Sequence, residues 1–152
     1  MSDLNWVCKH YDELGKAELY QLIQLRVEIF VVEQDCPYQD LDGKDPSAYH
    51  LMGKDDQGEI VAYTRLLAPG VSYPNYASIG RVVVSEKVRK FGFGKTLMRR
   101  SVDACKELFP IHDIKISAQT YLSRFYTELG FNAIGEEYLE DGIPHVAMIY
   151  KI

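Results

Sequence analysis

Cysteine is scarce in this sequence: its three copies, Cys8, Cys36 and Cys105, lie far apart and form no CxxC pair. An odd number of unpatterned cysteines favours reduced thiols over a disulfide framework. No run approaches the ~18–20 apolar residues that a membrane-spanning helix needs. The N-terminal stretch MSDLNWVCKHYDEL carries charges where a signal peptide needs its apolar region. We therefore expect a soluble, cytoplasmic protein with no membrane partner.

Positive charge is also in short supply, because 17 Lys and Arg stand against 22 Asp and Glu and give a net charge of −5. A duplex nucleic-acid binder usually presents a basic face, so no nucleic-acid partner is expected. Metal-ligand spacing is missing as well, since the four histidines form no HxxxH pair. The aspartate-rich stretch YQDLDGKDPSAY would place Tyr38 and Tyr49 at EF-hand positions that require acidic residues. We expect no metal site.

Apolar residues, by contrast, are plentiful enough for a core. With 152 residues, of which 47% are apolar and 26% charged, the chain is expected to form a single domain over residues 1–152. Periodicity and turn signals predict the order β-α-β-β-β-α-β-α-β-β, an α/β fold (α+β) whose mixed sheet has helices on its faces. The first helix is predicted over Ala17–Val32 and the second over residues 92–109, before Pro110.

The most informative stretch is RKFGFGKTLM, residues 89–98, which joins a valine-rich strand to the second helix. Unpaired amides at the start of a helix attract phosphate, and the helix dipole adds to this attraction. Gly92 and Gly94 remove the Cβ atoms that would keep a phosphate oxygen away from the backbone. Full positive charges stand beside those amides on three residues, Arg89, Lys90 and Lys95. The stretch therefore predicts a phosphate-binding loop.

Two common nucleotide motifs do not fit this loop. A dinucleotide fingerprint GxGxxG would need its third glycine at Leu97. A P-loop GxxxxGK[ST] ending in Gly94-Lys95-Thr96 would need a glycine at Arg89. Nucleotide phosphotransfer, which would require Mg²⁺-dependent ATP binding, is therefore a remote alternative.

A third pattern, R-x-x-G-x-G from Arg89 to Gly94, does fit. It resembles the pyrophosphate-binding motif of the GNAT superfamily, the acetyl-CoA-dependent N-acetyltransferases. The family's Phe-Tyr pair and Gly-Phe ending occur in FYTELGF, residues 125–131, after Gln119 at a strand end. The segment LRVEIFVVEQDCPYQDLDGKD, residues 25–45, is similar to the ElaA-like branch of that superfamily. The predicted element order agrees with the superfamily across nearly the whole chain.

The resemblance implies a GNAT-type acyl-CoA N-acyltransferase fold, with a central, mostly antiparallel sheet splayed at the cofactor site and helices on both faces. Acetyl-CoA (coenzyme A), the co-substrate, would lie between strands ending in Val82–Val84 and Ser117–Gln119. Its pantetheine arm would pair with the valine backbone like a short extra strand, although a plain core strand explains the valine side chains equally well. The cofactor-binding residues implied by the resemblance are Val82, Val83, Val84, Arg89, Lys90, Phe91, Gly92, Phe93, Gly94, Lys95, Thr96, Gln119 and Phe125.

The reaction implied by the resemblance is direct attack of a neutral amine on the thioester carbon. Tyr126, at the family's usual position for a general acid, would protonate the departing thiolate. A backbone amide at Val83 or Val84 would stabilise the oxyanion. Glu33 and His50 are the candidates for a base. The alternatives are a tyrosine that only packs its helix, a surface glutamate, a structural histidine, and a substrate that arrives neutral and needs no base.

Two arginines in strands are candidates for substrate binding. Arg81 precedes the valines and Arg65 lies in the neighbouring strand, where each could hold a substrate carboxylate or extend to solvent. The acceptor is expected to be a small-molecule or peptide amine, with its identity and the acyl chain length left open. The alternative function is a CoA-binding sensor or partner module of the same fold without turnover. A homodimer is the default expectation for a soluble protein.

Overall fold

The computed structural model describes residues 3–152, and there the strands and helices follow the predicted order, which is confirmed. None of the helices in this part of the chain has the length and apolar content to cross a bilayer. The elements are β1 Asn5–His10, α1 Lys16–Val27, β2 Tyr49–Lys54, β3 Ile60–Leu67, β4 Ser78–Val84, α2 Phe93–Leu108, β5 Ile114–Gln119, α3 Ser123–Glu128, β6 Asn132–Glu140 and β7 Ile143–Tyr150.

The strands form two antiparallel sheets, one ordered β1-β2-β3-β4 and the other β5-β7-β6. Within residues 3–152 the two sheets meet at an isolated parallel bridge between Ala77 and Ile114. The Ala77 amide donates to the Asp113 carbonyl at 3.0 Å, and the Lys115 amide donates to the Ala77 carbonyl at 2.8 Å. Beyond this bridge β4 and β5 separate. The expected splayed, mostly antiparallel arrangement is confirmed, although its strands fall into two hydrogen-bonded sheets.

A β-bulge bends β4 where it leaves β5. The register between β3 and β4 shifts between Tyr63 and Arg65, so that two residues of β4 lie opposite one residue of β3. At this point Arg81 has a φ of 51°, a left-handed conformation that is uncommon for a residue other than glycine. A bulge bends its strand and increases the local twist. This distortion accounts for the divergence of β4 from β5.

Helices cover both faces of the first sheet, as expected. One buried cluster joins α1 to the sheet and includes Leu22, Leu25, Met52 and Tyr63. A second cluster joins α2 to the opposite face and includes Leu51, Val61 and Leu97. Successive residues of a strand point to opposite faces, which explains why β3 is buried at every position.

The first helix departs from its predicted form at Val27, where α1 ends and a π-helical turn continues over Glu28–Glu33. The Gln34 amide donates to the Ile29 carbonyl at 3.2 Å, which is the wider i→i+5 spacing of a π-helix. The prediction of one regular helix to Val32 is therefore wrong in its last part. This turn borders the gap between the two sheets.

Glu18 fastens α1 to the first sheet. Its carboxylate accepts hydrogen bonds from Lys9 Nζ at 3.0 Å, Lys54 Nζ at 2.8 Å and the Gly15 amide at 3.0 Å. Burial acts to raise the pKa of Glu18, but these hydrogen bonds outweigh it and lower the pKa to about 2. The carboxylate therefore stabilises the folded state in its charged form.

The stability that Glu18 contributes should depend on pH. Because its folded-state pKa lies below the unfolded value of ~4.3, the contribution is present above that value and is lost as the pH falls toward 2. We expect Glu18→Gln to lower the free energy of unfolding by ~1–2 kcal/mol at pH 7 and by much less at pH 2. Urea titrations at both pH values measure this, with Glu137→Gln on exposed β6 as the control. An equal loss at both pH values would contradict it.

Candidate active site

A cavity of about 780 Å³ opens where β4 and β5 diverge, a size typical of small-ligand sites. Its walls come from both sheets, the π-helical turn, the loop that follows it, and the first turns of α2 and α3. Most of the predicted site residues line it, namely Glu33, Arg65, Arg81, Val82, Val83, Val84, Arg89, Gly94, Gln119, Phe125 and Tyr126. The predicted residues that lie off its walls are His50, Lys90, Phe91, Gly92, Phe93, Lys95 and Thr96.

The glycine loop leads through a 3-10 turn, Glu86–Phe91, into α2. Gly92 joins the two with a φ of 73°, a conformation that residues with a Cβ rarely adopt. It also occupies the N-cap of α2, where it brings no side chain over the first amides of the helix. A Cβ on Gly94 would lie 3.7 Å from the Phe125 ring, so the loop packs directly against α3. The start of α2 is therefore one end of the cavity.

Arg89 ties the glycine loop to the π-helical turn. Its guanidinium donates to the two carboxylate oxygens of Glu33 at 2.9 and 3.0 Å, and to the Val84 carbonyl at 3.2 Å. The hydrogen bond to Glu33 is the main reason that the pKa of Arg89 is raised. Glu33 is thus an acceptor for a guanidinium in this structure, and its role as a base stays a prediction.

Tyr126 lies on the cavity wall and is only 6% exposed. Burial raises the pKa of its phenol to about 12, so the hydroxyl carries its proton at neutral pH. The ring packs edge-on against Phe125 and Phe131, with centroid distances of 5.2 and 5.9 Å. Tyr126 can therefore both pack its helix and donate a proton, because the neighbouring rings hold it in place on the cavity wall.

The two candidate substrate arginines are paired with aspartates of the loop after the π-helical turn. Arg65 donates from Nη1 and Nη2 to the two oxygens of Asp42, at 2.8 Å each. Arg81 donates from Nε to Asp40 Oδ1 at 2.8 Å. Arg65 is 3% exposed, so the idea that it extends to solvent is wrong. A substrate carboxylate would have to compete with these aspartates, and that role for either arginine stays a prediction.

Arg26 completes this ionic network and was missed by the sequence reasoning. The fully buried guanidinium donates from Nε to Asp40 Oδ2 at 2.9 Å and from Nη1 to Asp45 Oδ1 at 2.7 Å. Tyr38 donates to Asp40 Oδ1 at 2.7 Å. The sequence signal that could have indicated this buried ion pair is an arginine within an apolar helical run, followed by an aspartate-rich loop. The network holds that loop against β3 and β4, where it lines one side of the cavity.

His50 belongs to the same buried region rather than to the cavity. Its Nδ1 lies 2.7 Å from the Tyr63 hydroxyl and its Nε2 lies 3.1 Å from the Asp45 carbonyl. Burial lowers the pKa of this imidazole. Because both ring nitrogens are occupied away from the cavity, the structure supports the structural reading of His50 over its reading as a base.

A polar cluster on the second sheet was also missed, and we call it the polar wall: Ser117, Tyr138, Glu140 and His145. Ser117 of β5 hydrogen-bonds to the Tyr138 hydroxyl, and donates to Glu140 Oε1 at 3.2 Å. His145 of β7 pairs in register with Tyr138, and its Nε2 lies 3.4 Å from Glu140 Oε2. The sequence signal was an alternation of polar residues in the last hairpin, which says nothing about a cavity.

The comparisons with known proteins agree with this geometry. A family profile described as an acetyltransferase (GNAT) domain matches residues 17–152. Protein ElaA of Escherichia coli is 41% identical, over 98% of this chain and 97% of its own length. The crystal structure of that ElaA, at 39% identity, gives a TM-score of 0.89 over 97% of this chain and 100% of its own. An acyl-CoA N-acyltransferase from Pseudomonas aeruginosa, 46% identical, gives 0.91 over 97% of this chain and 99% of its own.

Proposed function

This chain belongs to the GNAT acetyltransferase family, and on that premise we propose that it transfers an acetyl group from acetyl-CoA to the nitrogen of a primary amine. Members of the family take acyl groups from coenzyme A and act on amine acceptors. The observation that carries the proposal is the cavity that extends from the start of α2 into the gap between the sheets, with Tyr126 on its wall.

The diphosphate of coenzyme A is proposed to bind at the start of α2. Gly92 and Gly94 leave the first amides of this helix uncovered, and the helix dipole adds partial positive charge there. Lys90 and Lys95 bring full charges to the same turn, and Arg89 holds the loop against the π-helical turn. This combination of amides and cations is suited to a doubly charged ligand.

The pantetheine arm is proposed to extend along β4 on the side where β5 has diverged. The Ser85 amide donates to the Val61 carbonyl at 2.7 Å, across the sheet toward β3. Because amides alternate in direction along a strand, that of Val83 also points toward β3 and that of Val84 toward the gap. Of the two candidate oxyanion donors, Val84 is therefore the one that we propose. Preorganised donors of this kind stabilise the charge that develops on the thioester oxygen.

Tyr126 is proposed to protonate the departing thiolate, which has a pKa of roughly 8.5 and needs modest help. Deprotonation of the attacking amine costs more free energy than departure of the thiolate. Deprotonating a primary alkylamine of pKa ~10.4 at pH 7 costs ~4–5 kcal/mol, so either a base assists or the substrate arrives neutral. No metal is needed for this direct transfer.

The proposal is tested by incubating the protein with acetyl-CoA and a panel of amines while free thiol is measured. We expect thiol release that depends on the amine, with the acetylated amine identified by mass spectrometry. Propionyl-CoA and longer thioesters in the same assay measure the acyl preference. Absence of thiol release with every amine, in a preparation that binds coenzyme A, would overturn the proposed reaction.

The glycine loop supplies a second test. Gly92→Ala places a Cβ on a residue with φ 73°, and we expect it to lower the free energy of unfolding by ~1–2 kcal/mol and to weaken coenzyme A binding. Gly15→Ala is the matched control, because Gly15 is also a helix N-cap but has a φ of −75°. Urea denaturation and calorimetric titration with coenzyme A measure both effects. Equal behaviour of the two variants would contradict the role of the left-handed turn.

A further inference from the structure

The polar wall places three polar side chains on the cavity, as a binding or catalytic site would. Ser117, Glu140 and His145 line the cavity from the second sheet, opposite the β4 valines. The ring of His145 stacks on that of Tyr138, with an interplanar angle of 24° and centroids 6.2 Å apart. His145 is itself 6% exposed, so its position is fixed by packing.

The tautomer of His145 is set by its backbone. Its Nδ1 lies 2.7 Å from the Ile143 carbonyl, and a carbonyl can only accept, so Nδ1 carries the proton. In the neutral ring Nε2 then has a free lone pair. That nitrogen is on the side of Glu140, whose Oε2 lies 3.4 Å away. An imidazole held in this way can accept a proton at Nε2.

Glu140 also differs from Glu33 and Asp42, two other carboxylates of the cavity. Glu33 is paired with Arg89 and Asp42 with Arg65, each at hydrogen-bond distance from a guanidinium. Glu140, within residues 3–152, has only Ser117 and His145 as side-chain partners. The cavity cation Lys44 donates to Ser72 instead, at 2.9 Å.

A neighbouring tyrosine, Tyr73, lies close to Glu140. Burial, together with the proximity of Tyr138 and Glu140, raises the pKa of Tyr73, another residue of the cavity. Its phenol therefore stays neutral beside the polar wall. Asp141, which follows Glu140, adds a further negative charge at the cavity edge. This side of the cavity suits a cation.

We propose that the polar wall is the acceptor site for a primary alkylammonium, with Glu140 holding the ammonium and His145 Nε2 removing its proton. The proposal rests on the acetyl transfer proposed above and names the substrate class and the base for it. Ser117 fixes the Glu140 carboxylate, and Tyr138 fixes the imidazole ring by stacking. Both are positioning residues.

The protons balance over the whole reaction. The ammonium gives its first proton to His145, and the neutral nitrogen attacks the thioester carbon as the carbon–oxygen double bond opens. When the carbon–sulfur bond breaks, Tyr126 protonates the sulfur and recovers a proton from the acylated nitrogen. His145 returns its proton to solvent. An ammonium and a thioester therefore yield an amide, a thiol and one released proton.

The pH dependence follows from the groups around His145. Tyr138 and Glu140 on β6 contact His145 directly. Beyond them are Asp141 in the turn, Tyr73, which is close to both of these β6 residues, and Lys115 of β5, which lies over the Tyr73 ring. A general base acts only in its unprotonated form, so kcat/KM for an alkylamine should fall toward acidic pH. This acidic limb should be absent when His145 is replaced.

The experiment compares His145→Gln and Glu140→Gln with the wild type. The probes are primary alkylamines from n-butylamine to spermidine, which are cationic at pH 7, and p-anisidine, which is neutral. His112→Gln and Glu137→Gln are the controls, because both residues lie off the cavity walls. Coenzyme A affinity is measured by calorimetry for each variant, which separates loss of the acceptor site from loss of the fold.

We expect His145→Gln to lower kcat/KM for alkylamines by ~10²-fold or more and to remove the acidic limb, with p-anisidine much less affected. Glu140→Gln should raise KM for alkylamines and not for p-anisidine. An equal loss with both amine types, or an unchanged pH profile, would overturn the proposal. If the wild type releases no thiol, the site is tested by calorimetry with n-butylamine on the CoA-loaded protein. Binding that is lost in Glu140→Gln would support the acceptor site and refute only the reaction. Absence of binding would refute the acceptor site.

Discussion

Replacing Tyr126 with phenylalanine is expected to lower kcat for acetyl transfer by ~10²–10³-fold while leaving coenzyme A affinity nearly unchanged. The substitution removes one hydroxyl and keeps the ring, whose edge-on contacts with Phe125 and Phe131 hold α3 in place. The lost group is the proposed proton donor for the departing thiolate. Because burial raises the pKa of Tyr126 to about 12, its proton is present throughout the working pH range.

Steady-state kinetics with acetyl-CoA and calorimetric titration with coenzyme A measure the two quantities separately. Tyr20→Phe is the matched control, since Tyr20 lies on α1 and is 73% exposed. A kcat equal to that of the wild type would remove Tyr126 from the mechanism. The same pair of measurements separates an enzyme from a CoA-binding sensor, because a sensor has no turnover to lose.

Replacing Arg26 with methionine is expected to lower the free energy of unfolding by ~3–5 kcal/mol. Methionine keeps much of the length of the side chain but cannot pair, and it leaves Asp40 and Asp45 as buried carboxylates that have lost a partner. Arg81 and Arg65 still contact these two aspartates, which argues for the lower end of the range. The loop that carries these aspartates along the cavity should loosen as well.

Urea denaturation measures the loss, and hydrogen exchange of the amides around Asp40 reports the loosening of the loop. Arg124→Met is the control, because the Arg124 side chain is exposed and its ion pair with Glu128 is worth no more than ~1 kcal/mol. A loss for Arg26→Met as small as the control would mean that the buried network does not anchor the loop.

Local sequence signals were sufficient for the element order and for the position of the glycine loop before α2. Apolar periodicity identified α2, and the turn residues separated the strands, because these signals act over a few residues. The loop from Arg89 to Gly94 was predictable for the same reason, since its glycines and cations are contiguous. The π-helical turn could not be predicted. The spacing of apolar residues differs little between a π-helix and an α-helix, and a six-residue segment is too short to show the difference.

The remainder of the site depends on contacts between distant parts of the chain. Asp40 meets Arg81 across 41 positions and Asp42 meets Arg65 across 23, and no local pattern pairs them. The sequence alone therefore leaves both arginines as candidates either to hold a substrate carboxylate or to extend to solvent. His145 was overlooked because its importance comes from the divergence of β4 and β5, which is a property of the whole sheet.

Within residues 3–152 the two sheets join through the bridge at Ala77 and Ile114, and a shared apolar core packs them together. The first sheet leads into the glycine loop, which we propose binds the cofactor, and the second sheet carries the polar wall, which we propose binds the acceptor. On these proposals, substitutions in the β6–β7 hairpin would change the acceptor preference with little effect on coenzyme A binding. Related proteins could therefore differ in amine preference through substitutions in this one hairpin.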